Sequence, residues 1–191
     1  MFTSTNNILF GKVLQEHVLV DSTNNQAKIL LSNSKPVEGT VIIAHTQQQG
    51  KGQFGNNWAT VGGQNLTFSI ILYPKFIPAN RQFLLSQAVA IGIRDALEPY
   101  LPQPTYIKWP NDIISSDKKI CGVLIENSLH GNKLADSIVG IGINVNQADF
   151  DGLPHAASLH TLTERVFDLD KVLHRVLSCI EGYYLLLLAN R

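Results

Sequence analysis

Lys108-Trp109-Pro110-Asn111-Asp112 places a lysine on an apolar stretch directly before a Trp-Pro break. An ammonium in that setting points at something anionic, because lysine is a compact point charge suited to phosphate or carboxylate oxygens. Asn111 and Asp112, at the break, can hold a polar ligand or a metal's water. The same residues also allow a strand-end lysine paired with Asp112 beside a core tryptophan. Downstream, Lys119 begins Lys119-Ile120-Cys121-Gly122-Val123-Leu124-Ile125-Glu126, where Gly122 would let a ligand approach the backbone. Lys118 and Lys119 read equally as a solvated turn.

Gly50-Lys51-Gly52-Gln53-Phe54-Gly55 satisfies GxGxxG and follows a strand-like run. A dinucleotide-binding loop must open a helix and be followed by an acidic residue about 20 positions on. Here Asn56-Asn57-Trp58 leads to Gly62-Gly63 and another strand, so that reading fails. What remains is a glycine-rich backbone able to expose N–H groups around a cation, or a flexible surface loop. Gly140-Ile141-Gly142-Ile143-Asn144-Val145-Asn146 puts two glycines in a strand, implying a bulge or a close ligand approach with Asn144 facing the site. The six histidines form no HExxH or HxH pattern and no serine sits in GxSxG, which weakens zinc and hydrolase readings. Cys121 reads as a small core residue, since nothing nearby supplies a base.

The elements that must carry these residues fit a chain of 191 residues, 45% hydrophobic and 16% charged, too apolar for disorder and sized for one domain. Fifteen basic residues balance fifteen acidic ones, so there is no global cationic field for nucleic acid or anionic lipid. Any anion must be met by a local patch. Two cysteines cannot build a disulfide framework, and Met1 to Lys12 lacks the pattern of a leader, so a cytoplasmic protein without a membrane segment is expected.

Thr3 to Asn7 reads as polar and mobile, and Val18-Leu19-Val20 as a strand. Asp21-Ser22 caps a helix over 23–32. Strands follow at Val41–Ala44 and Leu66–Tyr73, separated by a long loop from His45 to Gln64. Asn80 caps a helix running to Pro99. Tyr106–Trp109, Asp112–Ser115, Ile120–Asn127 and Leu134–Val145 form an antiparallel meander, and Asp168 or Asp170 opens a last helix. Without regular βαβ alternation, this argues an α+β fold with a mixed, largely antiparallel sheet and helices packed on it.

The ordered set Asp21-Ser22-Thr23-Asn24, Gln47 to Trp58, Lys108 to Asp112, Lys119 to Glu126 and Gly140 to Asn146 resembles the catalytic domain of biotin protein ligases, over roughly residues 17 to 188. The resemblance implies the fold shared with class II aminoacyl-tRNA synthetases and lipoate ligases. It implies ATP-dependent activation of biotin as biotinoyl-5′-AMP, with Mg2+, and transfer of biotin to a lysine of a biotin carboxyl carrier protein. By motif position, Ser22, Thr23, Asn24 and Gln47 would surround the biotin ureido ring, with Gly122 leaving room beside it. Gly50, Lys51 and Gly52 would close over biotin and the adenylate. Lys108, Lys119 and Lys51 would be the catalytic cations, Lys51 and Lys119 also touching biotin. Gly52, Trp58, Lys108, Asn111 and Asn144 would meet ATP, and Asp112 would help orient magnesium.

Lys51, Gln53, Phe54 and Asn56 stand where relatives often carry arginine, so weaker retention of the intermediate is expected. The sequence is expected to be a single domain over 1–191, with no helix-turn-helix module before Val18 and without the small C-terminal β domain of many relatives. No nucleic-acid or membrane partner is expected, and a homodimer through edge strands is open. Two other functions compete: a lipoate or octanoate ligase or transferase of the same fold, and a non-catalytic biotin-binding remnant.

Overall fold

The computed structural model describes residues 1–190, apart from the side chain of Phe54. β-Branched runs form the strands β1 (Leu14–Val20), β2 (Thr40–Gln47), β3 (Leu66–Leu72), β4 (Thr105–Lys108), β5 (Asp112–Ser115), β6 (Lys118–His130) and β7 (Lys133–Ile143). The helices are α1 (Thr23–Asn33), α2 (Phe83–Leu97), α3 (Leu159–Thr163) and α4 (Leu169–Ala189). The strands make one seven-stranded sheet in the order β1-β2-β3-β7-β6-β5-β4. β1 pairs with β2 in parallel and the other neighbours are antiparallel. This is the mixed, largely antiparallel sheet expected, with the meander β4 to β7 in sequence order.

Alternation along the strands gives the sheet two unlike faces. Phe68, Ile70, Val139, Ile141, Ile143, Cys121 and Val123 point to a core closed by α2 and α4, including Leu85, Ile93, Val176 and Ile180. Each such aliphatic side chain contributes roughly 1.5–3 kcal/mol on burial. The residues between them, among them Ser69, Gly122, Gly140 and Gly142, face the other way. There α1 packs through Ala27 on Ile42, Ile71 and Ile138, leaving the glycine rows beside it uncovered by helix.

Ser22 caps α1 as expected, its Oγ accepting from the Asn25 amide at 3.1 Å. Asp168 caps α4. Asn80 does not cap α2: it lies in a single 3-10 turn, and Gln82, with no side-chain cap bond, precedes the helix. The 3-10 turn supplies the entry that a capping side chain would otherwise provide. α4 has the length and hydropathy of a membrane span, yet its stripe Val172, Leu173, Val176, Leu177, Ile180 and Tyr184 is buried in the protein's own core.

Thr3 to Asn7, expected to be mobile, is tied down. The Thr3 amide and hydroxyl donate to Asp170 at 2.9 and 2.7 Å, and the Thr5 amide donates to the Gly11 carbonyl at 3.0 Å. Behind it, the carboxylate of Glu181 accepts the amides of Ile8, Leu9 and Phe10 at 2.8, 2.7 and 2.6 Å.

Candidate functional site

The glycine-rich loop is short-range structure rather than open coil. Trp58 N–H donates to the Gly50 carbonyl at 2.8 Å and Gly52 N–H to the Asn56 carbonyl at 2.7 Å, with a bridge between Lys51 and Asn57. Gly52 N–H is therefore spent within the loop and does not join a free nest. Gly50 is required sterically, since a Cβ there would lie 2.2 Å from the Trp58 carbonyl oxygen. The fold returns Trp58 onto the glycine rows of the sheet. The Phe54 side chain, one of the departures noted in the sequence, lies outside the described residues.

Gly122 and Gly142 are cross-strand partners, and both look up at the indole. A Cβ at Gly142 would fall 2.2 Å from the ring, and one at Gly122 2.9 Å from it. Gly140 does the same for Asn24, whose Oδ1 lies 2.2 Å from where its Cβ would be. The register shifts of the sheet fall at Ile113/Ile114 and Asn127/Leu129. The glycines of β7 therefore mark close approach, and the bulge considered for them does not occur.

A cleft of about 160 Å³ lies over these rows, lined by Ser22, Thr23, Asn24, Gln47, Lys51, Gly52, Trp58, Asn111, Asp112, Lys119 and Gly122. Ser22 and Thr23 enter at the start of α1 and Gln47 at the end of β2. Gln47 Oε1 accepts from the Thr23 amide at 2.8 Å. Lys51 reaches across the mouth to Asn25 Oδ1 at 2.7 Å. The far end is ionic: Lys119 Nζ is 2.7 Å from Asp112 Oδ1 and 5.4 Å from the Trp58 ring centre. That charge contact is too poorly angled to be a hydrogen bond, so buried Asp112 Oδ1 has no aligned donor, and the Trp58 Nε1–H finds no acceptor.

A second cavity of about 570 Å³ adjoins the first and is lined by Trp58, Lys108, Asp112, Lys119 and Asn144 on one side and Phe150, Leu153, Pro154 and His155 on the other. Asn57, Trp58, Asp112 and Lys119 belong to both. Lys108 is exposed at the end of β4 and faces only the second cavity. Trp109 is 75% exposed, so the core-tryptophan alternative fails. Asn144 spends its amide N–H on the Ala157 carbonyl at 2.9 Å, pinning the 150–157 segment beside the cavity. Asn111 lies in the first cavity rather than the second, donating to the Val123 carbonyl at 3.1 Å. Gly50 stands behind the loop and lines neither cavity.

Three features were missed in the sequence. Ser69 and Glu126 lie below the first cavity, bonded to Asn24. The Phe150–His155 wall had a signal only in its apolar residues directly after the glycine strand. Burial pushes the Cys121 thiol pKa up, against the pull of Lys119, in keeping with a core residue rather than a nucleophile. Among the described residues no three His, Cys, Asp or Glu side chains group as a metal site.

The model of the biotin/lipoate A/B protein ligase family matches residues 17–144, a span that includes every candidate residue from Ser22 to Asn144. The bifunctional ligase/repressor BirA of Bacillus spizizenii is 33% identical over 193 residues, covering 95% of this chain and 58% of its own. BirA of Bacillus subtilis is 34% identical over 180 residues, covering 92% and 55%. The structure of biotin protein ligase from Aquifex aeolicus in complex with biotin and ATP superposes with a TM-score of 0.76 at 34% identity, covering 90% of this chain and 70% of that one. The chain thus spans a little over half the length of the curated relatives it matches. With β2 to β7, the glycine rows and both lysine motifs inside the matched span, the chain belongs to the biotin/lipoate A/B protein ligase family.

Proposed function

We propose that this chain activates biotin with ATP and transfers it to a lysine of a biotin carboxyl carrier protein. The observation that carries the reading is the wall common to the two cavities. One cavity ends in a polar cradle, Ser22, Thr23 and Gln47, suited to a buried urea. The other is open enough for a nucleotide and carries Lys108. Lys119 stands between them, where a carboxylate from one side and an α-phosphate from the other would meet.

In the first step a biotin carboxylate oxygen bonds to the α-phosphorus while the bond to the β-phosphate oxygen breaks and pyrophosphate leaves. In the second a neutral carrier lysine attacks the acyl carbon and AMP leaves, the amine proton passing to solvent. Neither step needs a protein nucleophile, so positioned cations and excluded water supply the catalysis. Magnesium, brought by the triphosphate, would neutralise its charge. The residue that would face it is Asp112, which lines both cavities and pairs with Lys119, and a single carboxylate accords with an ion held mostly by phosphate and water.

A cytoplasmic site of action accords with two free cysteines, and the unpaired edges of β1 and β4 would allow a homodimer. The test is pyrophosphate–ATP exchange with biotin or lipoate. Exchange with biotin alone is expected. Exchange with lipoate alone would assign the chain to lipoate activation, and biotin binding without exchange would make it a non-catalytic binder.

A further inference from the structure

A single row of hydrogen bonds runs from the cradle down through the sheet face. Glu126 Oε1 accepts from Lys28 Nζ at 2.6 Å and Oε2 from Asn24 Nδ2 at 2.8 Å. Asn24 Oδ1 is 2.7 Å from Ser69 Oγ, and Ser69 Oγ is 2.8 Å from Thr23 Oγ1. Ser69 is fully buried and Asn24 and Thr23 nearly so, so the groups are not free to turn to water.

The direction of every bond in the row follows from one end. A carboxylate only accepts, so Asn24 must present its NH2 to Glu126 and its oxygen to Ser69. Ser69 has one proton, which that oxygen takes. Its own oxygen must then accept from Thr23. The Thr23 proton is thereby turned away from the cavity, in preference to the longer 3.2 Å path to Gln47 Oε1, and its lone pairs are left for a ligand. Ser22 is set the opposite way: its oxygen accepts the Asn25 amide, so its proton is free to donate. Gln47 Oε1 is occupied by the Thr23 amide, which leaves its NH2 as a second donor.

We infer that Ser69 and Glu126, neither of them on the wall of the first cavity, are positioning residues that fix the donor–acceptor polarity of the cradle. Together they make it selective for a cyclic urea, with an N–H opposite Thr23 and a carbonyl opposite Ser22 and Gln47. This rests on biotin as the substrate. Gly140 belongs to the same device, since any larger residue would displace Asn24 and cut the row.

The test titrates the whole chain and its Ser69→Ala and Glu126→Gln variants with biotin and with its two lactam analogues, each having one ureido N–H replaced by CH2. The wild type is expected to disfavour the lactam that presents CH2 to Thr23 by about tenfold or more, the size of one buried hydrogen bond. In Ser69→Ala the Thr23 proton is released, so biotin weakens about tenfold while that lactam does not, and the discrimination collapses. Glu126→Gln lets Asn24 turn over and reduces the same ratio several-fold. Glu126 is partly exposed, so this variant carries the test should Ser69→Ala fail to fold. Ratios unchanged from wild type, or biotin and both lactams weakened equally, would overturn the inference. A wild type that ignores biotin would overturn the substrate assignment instead.

Discussion

The indole of Trp58 lies on the bare backbone of Gly142, close enough that a Cβ at that position would come within 2.2 Å of the ring. One β-strand position and one loop residue thus define each other, and the division between the two cavities depends on the pair. Close packing makes such a contact intolerant of one added carbon, because neither the central strand nor the ring has space to yield without moving the loop.

Gly142→Ala is therefore expected to lift Trp58 out of its seat and weaken biotin binding tenfold or more, with the β-sheet signal of circular dichroism retained. Trp58→Ala should cost a similar amount, and the double variant little more than either. Additive losses by calorimetry would show that the residues act separately.

Lys108 and Lys119 are expected to differ in what their loss does to the fold. Both alanine variants should lower pyrophosphate exchange by about a hundredfold, the scale of removing one preorganised charge. Lys108 is exposed at the end of β4, so Lys108→Ala should melt like wild type. Lys119→Ala leaves Asp112 without its cation and should lose up to about 1 kcal/mol besides, the scale of a partly exposed ion pair. Wild-type exchange in either variant would remove that lysine from the mechanism.

Glu126 gives a pH dependence with a definite sign. Burial pushes its carboxyl upward, but the hydrogen bonds from Lys28 and Asn24 outweigh it and hold the group below its ordinary value. Its contribution to stability is then complete above the unfolded carboxyl range and lost as pH falls through the lower folded value. The melting-temperature difference between wild type and Glu126→Gln should stay constant from pH 7 to pH 5 and shrink only in more acidic solution. A difference that changed near neutrality would implicate another group.

Glu181 holds the N-terminal segment through three backbone amides. Glu181→Ala leaves them without an acceptor and is expected to cost about 3 kcal/mol, read from guanidinium unfolding, while biotin affinity in the folded protein is unchanged.

Local chemistry wrote much of this protein directly into the sequence. Ser22 had to cap a helix, the β-branched runs had to be strands, and the short turns at Asp117 and His130 had to join them antiparallel, because caps, alternation and turn residues act within a few positions. The site motifs were legible for the same reason: a lysine before Trp-Pro or a glycine inside a strand is locally unfavourable and needs a ligand or a neighbour to account for it. Pairing register decided the rest. That Ser69 faces Gly140 depends on β3 being placed beside β7, and that Gly122 and Gly142 lie side by side under Trp58 depends on the register of β6 against β7 and on the loop that carries the indole back over them. Strand order and register are set by burial over the whole sheet, and no local period encodes which distant residue an inward side chain will meet. Glu126 could be read as the end of a motif, whereas its bond to Asn24, 102 residues away, existed only once the sheet had closed.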